Sequence, residues 1–177
     1  LNKFYNEGSC ATVAAAWKTY DEECRWIAYG DSVVFHYNRH TELLEHSFTR
    51  LADFSNPPRL VSCKDPLEEE GCCSGVFHID DASIVFAASD ALSHYVLMMY
   101  ELSKSAEFES ELMELRMKRT SNSQLLQMAE KEVFKFYDDV LSPLLRSVDS
   151  EANFKEQMES LYVKKLIDID DYTLAIL

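Results

Sequence analysis

The hydrophobic pattern of this chain changes its period at Asp90, and that change limits the fold more than any other feature. Before it, apolar, β-branched and aromatic residues come in short runs: 10–20 (CATVAAAWKTY), 23–30 (ECRWIAYG), 33–37 (VVFHY) and 42–47 (ELLEHS). Asp21-Glu22, Gly30-Asp31-Ser32 and Asn38-Arg39-His40 sit between them as turn material. Short strands at such tight spacing predict antiparallel sheets rather than β-α-β units. Residues 48–73, with Pro57, Pro58, Pro66 and the run Glu68-Glu69-Glu70, lack periodicity and read as a long surface loop. Strand signals return at 74–80 and 82–89, with Asp80-Asp81 as a hairpin turn. The second of these runs is apolar nearly throughout, as in a strand buried on both faces.

From Asp90 the apolar spacing becomes three and four. Leu92, Tyr95, Val96 and Met99 mark a first helix, and Phe108, Leu112 and Leu115 a second over 106–118. A third run covers about 122–147, with Ser121 and Gln124 placed for a capping box and Pro143 placed to kink or end it. A fourth covers about 151–165, and 171–177 (DYTLAIL) is strand-like again. The expected class is α+β, with antiparallel sheets first, helices packed on them and one late strand returning. No internal repeat or low-complexity stretch interrupts it.

Length and charge limit the function classes. At 177 residues the chain suits one domain with a real core, taken here as 1–177. Seventeen basic residues against 31 acidic ones give a net charge of −14. A field of that sign repels phosphate backbones and anionic lipid, so no nucleic-acid or membrane partner is expected. The Lys118-Arg119 pair is too small to alter that. No apolar run reaches the length that spans a bilayer. Five cysteines without zinc-ligand spacing, two of them adjacent at Cys72-Cys73, fit reduced thiols in a cytoplasmic protein. His36, His40 and His46 fall on a strand, a turn and a strand, which does not aim them at one ion.

The residues with chemistry left to them are aspartates. Asp90 stands where a buried strand meets a helix, a position that favours a helix N-cap. Asp31 lies in a Gly-Asp-Ser turn, and Asp170-Asp171 lead into the last strand; each has an ordinary reading as a turn residue. Ser93-His94 beside Asp90 is no triad, because adjacent helical side chains diverge.

Taken in order, however, four segments carry a resemblance. Gly8-Ser9-Cys10-Ala11 looks like a Gly-Ser-Thr-Ala strand, and Trp26-Ile27-Ala28-Tyr29-Gly30-Asp31-Ser32 like a strand ending in Val-Gly-Asp-Ser. Phe86-Ala87-Ala88-Ser89-Asp90-Ala91-Leu92 is similar to Leu-Ala-Ser-Asp-Gly-Leu, and Asp170-Asp171-Tyr172-Thr173-Leu174 to Asp-Asn-x-Ser/Thr-Val. In this sequence of motifs the chain resembles the metal-dependent protein serine/threonine phosphatases of the 2C type, over nearly its whole length. The resemblance implies a β-sandwich of two antiparallel sheets flanked by antiparallel helix pairs. It implies a binuclear Mg2+ or Mn2+ centre with Asp90 and Asp170 as ligands, and Asp31 at the position of a third ion. It implies attack of a metal-activated water on a phosphoserine or phosphothreonine of a phosphoprotein, with no covalent phosphoenzyme. Hard divalent ions take oxygen ligands, which suits aspartates.

The departures are specific. The family's Asp-Gly-x-Gly stretch, an earlier metal aspartate and the phosphate-binding arginine have no counterpart here, so the expectation is the C-terminal portion of a longer phosphatase domain, inactive alone. Ala91 stands in place of a glycine and Asp171 in place of an asparagine. The stretch 104–147 is longer than the family needs and reads as a helical insertion. The competing reading is a non-catalytic regulatory or scaffold module of the same fold.

Overall fold

The computed structural model describes residues 8–118 and 120–177, so Arg119 of the basic pair lies outside the described residues. The protein is α+β, with antiparallel strand pairs followed by helices. It divides into two compact units. A strand unit holds the described residues up to Phe48, Pro57–Ala88 and Ala175–Leu177, and a helical unit holds Thr49–Asn56 and Ser89–Leu174.

In the strand unit, β1 (Cys10–Ala11) continues past Thr12 as β2 (Val13–Lys18), and then come β3 (Glu23–Tyr29), β4 (Val33–Asn38) and β5 (Leu43–His46). The loop expected over 48–73 carries short elements: a 3-10 turn at Leu51–Ser55, β6 (Val61–Ser62) paired with β1, and a 3-10 turn at Glu69–Gly71. After β7 (Cys72–His78) and β8 (Ser83–Ala88), the final strand is β9 (Leu174–Ile176). One sheet has the order β2-β3-β7 and the other β5-β4-β8-β9. Cys24 and Phe77 of the first sheet pack against Val34 and Val85 of the second, with Ala14, Ala16 and Trp26 around them. The alternation in β3 explains the inward face: Cys24, Trp26 and Ala28 point in while Arg25 and Ile27 point out. Residues Val33–Tyr37 of β4 are all buried, and Phe35 stacks on its cross-strand partner Phe86 at 4.9 Å.

Two glycines permit this packing. Gly30 has φ +89, and a Cβ there would lie 2.5 Å from the Thr12 side chain. At Gly75 the Trp26 indole lies across the strand, and a Cβ would stand 2.6 Å from its ring.

The helical unit contains α1 (Asp90–Ser103), α2 (Glu109–Met117), α3 (Ser121–Ala129), α4 (Ser142–Ser147) and α5 (Glu151–Val163). Every residue of α1 from Leu92 to Glu101 is buried, so it is the unit's central helix rather than an amphipathic surface one. The Leu51–Ser55 turn and the segment Phe136–Leu141 pack against it. The helix expected over 122–147 is broken: α3 stops at Ala129, residues 130–135 are irregular, and Phe136–Leu141 form a π-helical turn. Pro143 stands in the first turn of α4, where its missing N–H is harmless, instead of ending a helix. The expected capping box is absent, since Thr120 is the α3 N-cap and no side chain caps it. Among the described residues no helix is long and apolar enough to cross a membrane.

Candidate metal centre

The backbone at the end of β8 runs through Ser89 straight into α1. Ser89, not Asp90, is the helix N-cap residue, with its φ and ψ extended, and Asp90 occupies the first helical position. The capping role expected for Asp90 is thus taken from it. Ser89 instead ties the distant C-terminal segment to the helix start. Its backbone N–H donates to the Thr173 carbonyl at 3.1 Å, its Oγ donates to the Asp171 carbonyl at 3.1 Å, and the Thr173 N–H donates to its Oγ at 3.1 Å. The loop just before is closed on itself: the Tyr172 hydroxyl donates to the Asp168 carbonyl, and the Asp171 N–H donates to Asp170 Oδ1 at 2.7 Å.

These ties hold the Asp90 and Asp170 carboxyl groups, 80 residues apart in sequence, near enough to affect one another. Burial raises the Asp90 carboxyl above its ordinary pKa, and the charge and side-chain hydrogen bond of Asp170 push it the same way. The backbone N–H groups of Ala91 and Asp90 itself pull it back. Asp90 is half-buried and Asp170 is exposed. Among the described residues no lysine, arginine or histidine forms an ion pair with either. Two facing carboxyls without a counter-charge repel once both ionise, and a hard divalent cation is the partner that removes the repulsion with oxygen donors alone. Carboxylate oxygens are donors of the kind that hard divalent ions accept.

Asp31 belongs to the strand unit, half-buried in the turn between β3 and β4. Close by in sequence, Ser32 Oγ and Thr12 Oγ1 share a hydrogen bond at 2.7 Å, which fixes that turn.

His36 is buried, with Nδ1 2.8 Å from Glu45 Oε2 and Nε2 2.8 Å from Ser83 Oγ, so its ring is fully satisfied. His46 is largely buried and its pKa is lowered by that burial. His94 lies edge-on to Phe54 at 5.6 Å, its Nε2 has no partner among the described residues, and burial pushes its pKa down to about 4. It is a core residue.

Two features escaped the sequence reading. His40, Asp80 and Asp81 offer ligand atoms within 4.8 Å of one another, but all three are exposed, and Asp80 is already used by Ser83, Asn38 and Ala82 in the β7–β8 turn. The second is Glu101, 2% exposed on the central helix; among the described residues its Oε2 has no partner, and neither has a buried oxygen of its neighbour Glu111. Its signal was present: Glu101 follows His94 by seven residues and Leu97 by four, on one buried helical face.

No family model matches the chain, nor does any curated protein or solved structure.

Proposed function

We propose that this chain belongs to a 2C-type metal-dependent phosphatase and supplies part of its metal centre, with Asp90 and Asp170, both of the helical unit, as carboxylate ligands. The observation that carries the reading is the meeting of Asp90 and Asp170 at the β8–α1 junction, the two positions that the motif resemblance marks as ligands. The two packed antiparallel sheets, with a late strand added beside β8, are compatible with the sandwich of that family.

When bound, Mg2+ or Mn2+ supplies an activated water and neutralises phosphoryl oxygens. The chain's own groups do the rest. Ser89 fixes the 168–173 loop against the start of α1, so that the two carboxylates are held in place before any ligand arrives. The Asp171 N–H occupies Asp170 Oδ1 and leaves Oδ2 for a cation or for Asp90. The substrate class is a phosphoserine or phosphothreonine in a protein, hydrolysed without a covalent intermediate on this chain.

The test is dephosphorylation of a phosphoserine peptide by the natural protein that carries this chain, with and without Mn2+. Turnover that needs Mn2+, stops with chelator and is lost in Asp90→Asn and Asp170→Asn supports the enzyme. Turnover indifferent to chelator and to both substitutions overturns it. Mn2+ binding that depends on both aspartates without any turnover would instead favour the regulatory reading, to which the departure at Ala91 points.

A further inference from the structure

The break in the predicted 122–147 helix creates a cavity. Where α3 ends, residues 130–135 leave the helical path, and the chain re-enters through a π turn rather than an α turn. Lys135 and Asp139 hold that entry reciprocally: the Lys135 N–H donates to Asp139 Oδ2 at 2.8 Å, and the Asp139 N–H donates to the Lys135 carbonyl at 2.9 Å. A π turn is wider than an α turn and is often found at functional sites. Here it borders a cavity of about 370 Å³ within the helical unit. That volume falls in the range of sites for small organic ligands.

The lining is divided by chemistry. Tyr95, Met99, Val140, Leu161 and Leu166 give an apolar floor, all of them buried side chains. Glu132 and Asp139 stand on the wall formed by residues 132–143, where Asp139 is already engaged by the Lys135 N–H, and Lys164 stands on the wall formed by residues 157–166. Among the described residues neither of the two has an ion-pair partner. The negative charge of Glu132 is felt at the floor, where burial first and then Glu132 raise the Tyr95 hydroxyl above its ordinary pKa.

From this division we infer that the cavity binds a small zwitterion with an apolar side chain, of the free α-amino-acid type. Its ammonium pairs with Glu132, its carboxylate with Lys164, and its side chain lies on Tyr95, Met99 and Leu161. A charge of each sign on separate walls is complementary to a molecule that carries both. A residue within a peptide has neither terminal charge, so the site selects a free molecule. The cavity lies apart in function from the aspartate pair, and its occupancy does not depend on metal.

Calorimetric titration of the whole chain with L-phenylalanine tests this, alongside 3-phenylpropionate, phenethylamine and N-acetyl-phenylalanine amide. The expected result is saturable binding of L-phenylalanine, at least tenfold tighter than each of the other three, since each lacks one or both charge pairs. Glu132→Gln and Lys164→Met should each weaken it by at least tenfold. Both side chains are exposed, so the variants are expected to keep the wild-type urea midpoint. Absence of binding by L-phenylalanine at 10 mM (about a hundredfold above a 100 μM site) overturns the proposal. So does equal binding of the capped or singly charged compounds, or insensitivity to both substitutions.

Discussion

Glu101 offers the sharpest check on the packing of the helical unit. It is 2% exposed, its Oε2 has no partner among the described residues, and Glu111 lies near, so burial first and then that like charge raise its pKa from 4.5 to about 8. The other acids nearby are engaged elsewhere or lie outward: Asp53 binds Arg50 and Thr49, Glu114 binds Arg50, Asp139 accepts from the Lys135 N–H, and Asp138 is exposed. Between pH 4.5 and about 8 the folded protein holds a proton on Glu101 that the unfolded chain has lost. The unfolded state binds fewer protons there, so stability falls as pH rises. Each pH unit in that window costs about 1.4 kcal/mol, or about 5 kcal/mol across it. Urea unfolding followed by circular dichroism at pH 5.5 and pH 8 samples about 3 kcal/mol of this. Glu101→Gln keeps the shape and cannot ionise, so the difference in unfolding free energy between variant and wild type isolates the one group. The variant should gain on the wild type by about 3 kcal/mol between those two pH values. Parallel pH profiles would refute the buried-acid argument.

Other substitutions probe the rest of the structure. Gly75→Ala places a Cβ 2.6 Å from the Trp26 ring and should destabilise the strand unit by about 1–3 kcal/mol, read from the urea midpoint. Phe86→Ala removes a stacked partner of Phe35 and should cost about 3–5 kcal/mol by the same measurement. Ser89→Ala deletes the hydroxyl that joins Asp171 and Thr173 to the start of α1. It should cost about 1 kcal/mol of stability and also weaken Mn2+ binding, although Ser89 is no ligand.

The strand half was legible because its alternation is strong: β3 and β4 lie within a residue or two of their expected bounds, and the apolar run at 82–89 became a central strand. Helix boundaries were less so. The apolar positions 125–144 keep a helical spacing, but the spacing does not reveal that residues 130–135 leave it, nor that Pro143 opens a new helix. Asp90 illustrates the limit at the site. Position alone favours it as a cap, yet Ser89 holds that role because its hydroxyl can reach Asp171 and Thr173, which only the folded chain brings near. The expectation that Asp90 and Asp170 share a site comes from motif order, not from periodicity. The Glu101–Glu111 contact was half legible, in the placing of an acid on the buried face of α1.

The central claim concerns the two carboxylates at the β8–α1 junction, and Mn2+ titration by calorimetry addresses it most directly. The chain should bind Mn2+ saturably, with affinity at least tenfold weaker in Asp90→Asn and in Asp170→Asn alone, and no further loss in the double variant because the two act as one site. Unchanged Mn2+ affinity in both single variants, with folding intact, would contradict the account.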